Sequence, residues 1–211
     1  MNAGKRAHLR ALSVLGPLLL ALFLLGGCDG GGSRFHGTDI SGANYGRDFA
    51  LLDPDGKTRQ LADFRGKVVM LFFGFIQCPD VCPTTLGRAA ETRRLLGADG
   101  ERLQIIFVTL DPTRDSPEIL RAYTAAFDAD ILGLHTTPEK TAETAKAFRI
   151  YYRKVPTGSS YTIDHSAISY LYDPEGRLRL AVGHQTPPEA VAADVAALLR
   201  ASSTTDEEQP R

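Results

Sequence analysis

Of the three cysteines in this 211-residue chain, two, Cys78 and Cys82, share one short stretch, GFIQCPDVCP at 74–83. Two thiols with three residues between them can close a disulfide and so exchange two electrons with a partner. They can equally clasp one small soft metal ion as thiolates. The spacing alone does not choose. Both chemistries gain if the sulfurs lie where a helix begins, because the unpaired N–H groups and the dipole there favour thiolate over thiol. The sequence predicts that placement. Val68–Phe75 is apolar throughout, largely β-branched or aromatic with one glycine, the pattern of a central strand buried on both faces. Pro79 and Pro83 flank Asp80, Val81 and Cys82, so the chain turns at Cys78 and a helix can start near Pro83, proline being tolerated in a first helical turn.

The third cysteine belongs to another feature. Lys5, Arg6 and Arg10 precede an apolar run from Ala11 to Leu25, and Leu25-Gly26-Gly27 leads into Cys28. A basic start, an apolar stretch too short to read as a membrane span and small residues before a cut point make residues 1–27 a signal peptide, outside the fold. Leu-Gly-Gly-Cys resembles the lipobox of bacterial lipoproteins, which implies that Cys28 becomes the acylated first residue and anchors the mature chain to a membrane. Asp29 resembles the signal that retains some such proteins at the inner membrane. Residues 28–34, with DGGGS at 29–33, read as a flexible tether. With Cys28 spent on lipid, Cys78 and Cys82 remain as a pair. An oxidising compartment would make them a disulfide unless a reductant or a metal holds them.

A hydrophobic content of 43 % suffices for a real core, and a formal net charge of −1 without a basic stripe argues against nucleic-acid binding. The domain should span 35–200, with a disordered polar tail over 201–211. Phe35–Arg47 reads as a polar, glycine-rich surface segment. Phe49–Leu52 and Thr58–Leu61 form a β-hairpin around Asp53-Pro54-Asp55-Gly56. After the cysteines come a helix over Thr84–Leu96 stopped by Gly97, a buried strand over Leu103–Leu110, and a helix capped by Ser116 with Pro117 at its first position. Ile131–Leu134 is a short apolar piece, Pro138–Ile150 a helix and Val155–Tyr161 a mobile loop. Strands Ala167–Tyr172 and Leu178–Val182 flank Asp173-Pro174-Glu175-Gly176, and Pro188–Leu199 is the last helix. That order fits an α/β fold, a central sheet with helices on both faces.

Three stretches taken together, GFIQCPDVCP at 74–83, TLDPTRDSP at 109–117 and YTIDHSAISYLYDPEGR at 161–177, resemble the Sco/SenC family of copper chaperones for cytochrome c oxidase assembly. The resemblance runs from about Phe35 to Leu199. It implies a thioredoxin-like fold, with a central mixed β-sheet flanked by helices and an N-terminal β-hairpin extension. It also implies that Cys78 and Cys82 supply thiolates and His165 an imidazole to one copper ion, with Asp80 tuning the charge without touching the ion. The implied partners are cytochrome c oxidase subunit II and a periplasmic thiol reductant or copper donor. The implied location is the periplasmic face of a bacterial inner membrane. Gln77 departs from the family, which often has His or another residue before the first cysteine; that position is not a ligand. Two thiolates and an imidazole suit Cu(I), and with a further weak ligand Cu(II), whereas a closed structural zinc site would want four ligands.

Two other functions use the same thiols: a periplasmic thiol-disulfide oxidoreductase and a redox or copper sensor. Against ordinary thioredoxin chemistry stand the three-residue spacing and the absence of tryptophan. His165 separates the readings, since a dithiol reductase does not need it. A purely structural disulfide would close a loop of a few residues and add little stability. His36, His135 and His184 read as surface residues, Asp111 and Asp115 as turn and helix-start residues, and Tyr161 and Tyr170 as packing.

Overall fold

The computed structural model describes residues 35–207, with side chains to Ser202. The expected signal peptide, the Cys28 anchor and the tether lie outside the described residues, as do 208–211. In chain order the strands are β1 (Thr38–Asp39), β2 (Ala50–Leu52), β3 (Thr58–Gln60), β4 (Val68–Gly74), β5 (Leu103–Thr109), β6 (Leu132–Leu134), β7 (Tyr152–Thr157), β8 (Ser160–His165), β9 (Ile168–Tyr172) and β10 (Leu178–Gly183). The helices are α1 (Val81–Leu95), α2 (Pro117–Ala125), α3 (Pro138–Ala147) and α4 (Pro188–Glu207). Six strands make one mixed sheet in the order β1-β10-β9-β4-β5-β6.

β4 lies at the centre. It runs parallel to β5, Val68 opposite Leu103 and Gly74 opposite Thr109, and antiparallel to β9, Val69 opposite Tyr172. All its residues are buried, because alternate side chains feed two separate cores, one on each face of the pleat. Val68, Met70 and Phe72 pack with Leu86 and Ala89 of α1 and Val191, Val195 and Leu198 of α4. Val69, Leu71 and Phe73 pack on the opposite face with Ala145, Phe148, Tyr170 and Tyr172. Fully burying a side chain of this size contributes roughly 1.5–3 kcal/mol, so β4 is firmly held from both faces.

The helix starts follow from local chemistry. Ser116 accepts from Ile119 N ahead of Pro117, and Thr137 accepts from Lys140 N ahead of Pro138. α1 begins two residues before Pro83, which sits in the first turn, where its missing N–H has no partner to lose.

The structure differs from the sequence expectations in four places. Phe35–Arg47 is not wholly surface cover: Thr38–Asp39 adds β1 to the sheet edge beside β10. Ile131–Leu134 supplies β6, parallel to β5. Val155–Tyr161, expected as a mobile loop, is part of a regular hairpin, β7 with β8, registered from Tyr152 opposite His165 to Thr157 opposite Ser160. Gly158, at φ 59°, supplies the left-handed residue its tight turn requires. The last helix runs to Glu207 rather than Leu199, so 201–207 continue the helix instead of forming a disordered tail. No glycine or proline interrupts the chain between Pro188 and Pro210.

Candidate metal centre

Gly74, at the end of β4, is where the chain must leave the sheet without a side chain. A Cβ there would lie 2.8 Å from Cys82 Sγ and 2.8 Å from Phe107 Cε2. The chain then turns, Cys78 N donating to Phe75 O at 3.3 Å, and α1 opens at Val81. Cys78 Sγ therefore faces the first helical turn and accepts from Cys82 N at 3.4 Å, as expected for a sulfur at a helix start. Cys82 is fully buried and Cys78 half-buried, both as free thiols.

The imidazole arrives from the other side. His165 ends β8, and its Nε2 lies 3.4 Å from Cys82 Sγ. Its Nδ1 lies 3.0 Å from the Ser166 carbonyl oxygen, which can only accept, so Nδ1 carries the proton and Nε2 presents its lone pair to the sulfurs. Phe75 meets the ring edge-on at 5.8 Å between centroids and Phe72 tilts against it at 6.1 Å. The ligating atoms of Cys78, Cys82 and His165 all lie within 4.8 Å of one another, the only such group of His, Cys and acidic side chains among the described residues.

The two sulfurs hold one proton between them. The Cys82 thiol donates toward Cys78, and the backbone N–H groups of Asp80 and Cys82 add to it, so the Cys78 thiol is drawn down to about 3 despite partial burial. Cys82 is pushed far up, first by its bond to Cys78 and then by its own burial. The half-exposed sulfur ionises and the buried one keeps the proton. Behind them Asp115 is buried, taking the Ile76 N–H at 3.1 Å and the Thr109 hydroxyl. Burial raises its pKa above the ordinary carboxylate value. Asp80 is exposed, beyond the ring of three donors.

A family model described as SCO1/SenC matches residues 37–200. This chain belongs to the SCO1/SenC family. A SCO2 homolog, mitochondrial, of Homo sapiens is 36 % identical over 152 residues, 70 % of this chain and 57 % of that protein, so the chain spans little more than half of that relative. Bradyrhizobium japonicum ScoI with copper bound is 38 % identical, with a TM-score of 0.67 over 74 % of this chain and 99 % of that one. BsSco, described as a member of the Sco family of cytochrome c oxidase assembly proteins, shares the fold at 22 % identity and a TM-score of 0.61, over 78 % of this chain and 97 % of that one. The thioredoxin-like architecture expected from the sequence motifs is the one these Sco structures have.

Within this SCO1/SenC chain, other residues around the centre do more than their sequence suggested. Asp111 and Asp115 serve in a turn and before a helix, yet both carboxylates are buried. Tyr161 does not merely pack: its hydroxyl donates to Asp111 Oδ1 at 2.8 Å. Arg114 reaches both the cysteine loop and the hairpin, with its Nη1 2.9 Å from Gln77 Oε1 and 2.8 Å from Tyr161 O. The one sequence cue was the density of charge in DPTRDSP. His36, expected as a plain surface residue, is paired with the buried Asp194 at 3.1 Å. His135 and His184 bring no side chain to the centre.

Proposed function

We propose that this chain captures one copper ion as cargo on Cys78, Cys82 and His165 and hands it on during assembly of cytochrome c oxidase, with subunit II as the recipient. In this reading Cys28 carries the lipid, and the domain works at the periplasmic face of a bacterial inner membrane. The observation that carries the proposal is the convergence of two sulfurs and a lone-pair-bearing Nε2 within 4.8 Å. The donor chemistry fits. One sulfur is already anionic, the second loses its proton when a metal replaces it, and the imidazole is fixed in the metal-binding tautomer. Soft sulfur donors favour Cu(I), and three ligands leave room for an incoming donor from the recipient.

A second reading rests on the acidity of Cys78. A thiolate there can attack a partner's disulfide; Cys82 then displaces the partner, giving a Cys78–Cys82 disulfide and two reduced partner thiols. The same exchange prepares a recipient's cysteines and withdraws both anionic donors from the cargo, so the two roles can be steps of one cycle. Anaerobic titration of the reduced full chain with Cu(I), followed by X-ray absorption, tests the first reading: one equivalent bound with two sulfur neighbours and one nitrogen neighbour is expected. A site without nitrogen, or with affinity unchanged in His165→Ala, would leave only the dithiol exchange.

A further inference from the structure

The hairpin that delivers His165 pairs with nothing but itself: β7 and β8 form their own two-stranded sheet. At its base Ser166 N donates to Tyr151 O at 2.9 Å, and Ile163 is its one fully buried side chain. Its remaining grip on the body combines packing, with Tyr152 and Tyr161 half-buried against the core and Phe72 and Phe75 against the His165 ring, and a polar cluster centred on Tyr161. The Arg114 guanidinium stacks 3.7 Å from the centroid of the Tyr161 ring, and Lys154 Nζ lies 4.4 Å from the same centroid. Arg114 Nη1 donates to Tyr161 O at 2.8 Å and to Ser160 Oγ at 3.4 Å. The Tyr161 hydroxyl and Arg114 Nε converge on Asp111, whose side chain is wholly buried.

The same guanidinium holds the cysteine loop. Nη1 also donates to Gln77 Oε1 at 2.9 Å, one residue before Cys78, and at the other end of this turn Asp115 fixes Ile76 N. The stretch Asp111–Asp115 therefore grips both arms of the donor set, and Arg114 alone touches both. Its Nη2 is buried without an acceptor among the described residues. The guanidinium lies where it spans two loops, not where its own hydrogen bonds are best satisfied.

We propose that Arg114 is a positioning residue, a latch that locks the His165 hairpin against the Cys78–Cys82 loop and so sets how closely the imidazole approaches the sulfurs. The purpose of that spacing rests on the copper reading above; the latch itself is a property of the metal-free protein. The task requires a planar fork with several fixed N–H vectors and a face that stacks on tyrosine, which lysine lacks. Opening the latch frees the hairpin while Asp115 still holds the cysteine loop, so the imidazole is the donor that leaves first when the ion is passed on.

The test uses the full chain, reduced and metal-free, with Arg114→Met, which keeps the apolar stem. Hydrogen exchange should quicken at least about tenfold for the paired amides of Ser160–His165 and stay unchanged in β4 and β5. Cu(I) affinity, measured by competition with a chromophoric chelator, should fall about 10–100-fold, the range seen when a group orienting a metal ligand is lost. Arg114→Lys should not restore it. In a His165→Ala background Arg114→Met should cost nothing further, because the latch acts only through the ring. Unchanged hairpin exchange, or an equal loss of affinity with and without the imidazole, overturns the proposal. If Arg114→Met does not fold, Tyr161→Phe keeps the ring and removes only the hydroxyl's bonds to Asp111 and from Lys154 Nζ, and should quicken the same amides less; no change there overturns the latch equally. A chain that binds no Cu(I), yet whose hairpin loosens in these variants, keeps the latch and refutes the copper reading instead.

Discussion

The two arms of the donor set are held by different physics. The sulfurs sit at a strand-to-helix junction whose strand is buried on both faces, and Cys82 is packed so closely that Gly74 has no room for a methyl group. The imidazole sits on a hairpin whose residues are mostly exposed or half-exposed and which is fastened by hydrogen bonds, the Arg114–Tyr161 stack, ring contacts of His165 and Tyr152 at the core edge and a single fully buried isoleucine. Close-packed geometry is lost only with the fold itself, whereas a few polar contacts can open locally. A centre built this way keeps two donors constant and makes the third detachable, as the proposed capture and release of a cargo ion would require.

Phe72→Ala is the strongest way to break that contrast. Phe72 is 1 % exposed, lies 6.0 Å from Phe107 and backs the His165 ring. Its truncation should lower unfolding stability by about 3–5 kcal/mol in urea titrations. Arg153→Ala on the hairpin removes only an exposed pair with Asp164 at 3.3 Å and should change stability by less than about 1 kcal/mol. Similar losses at the two sites would mean that the hairpin is as integral to the fold as β4.

Metal affinity sharpens the same contrast at the level of donors. Cys78→Ser and Cys82→Ser should each weaken Cu(I) binding by well over the roughly 100-fold that loss of a supporting contact can cost. His165→Ala should weaken it severely too, but less than either serine variant, because two thiolates in a preformed loop still satisfy a soft ion. Competition titration against one chelator ranks the three. A histidine effect equal to or larger than the cysteine effect would make the hairpin the dominant arm.

How much of this the sequence disclosed follows the same division. β4, β5 and the starts of α1 and α2 were legible because their signals are local: dense apolar runs, a serine before a proline, two cysteines each followed by a proline. The hairpin was not. Pro156, Gly158 and its solvent-facing side chains mask the alternation by which a strand is recognised. The extension of α4 to Glu207 was missed because a polar composition reads as tail even where nothing breaks the helix. At the centre, His165 is 83 residues from Cys82 and was reached only through a family resemblance. Arg114 went unnoticed because its two partners lie 37 and 47 residues away, and no single-sequence rule connects a turn arginine to a glutamine and a tyrosine at such distances.

The next comparison sets one sulfur against the other through the proton they share. With Cys78 already ionised and Cys82 protonated near neutral pH, binding of one Cu(I) should release about one proton, not two, in a weakly buffered titration.

The same proton gives a pH dependence, and its sign differs between the sulfurs. An unfolded cysteine titrates near 8.5, while Cys78 in the folded, reduced, metal-free chain is held near 3. Folding therefore favours its ionised form, and that stabilisation is complete above about 8.5 and fades as pH falls toward 3. Cys82 is shifted the other way, so its contribution is complete below about 8.5 and is lost at higher pH, where the unfolded chain ionises and the folded one does not. The difference in urea stability between the parent and Cys78→Ser should thus grow from about pH 5 to about pH 8. Over the same interval iodoacetamide should modify Cys78 at a nearly constant rate, since the reactive thiolate is already formed, while an ordinary exposed cysteine slows about tenfold per unit of falling pH. If Cys78 slows in that ordinary way, the sulfurs do not share a proton, Cu(I) must release two, and the thiol arm loses the pre-ionised donor that sets it apart from the hairpin.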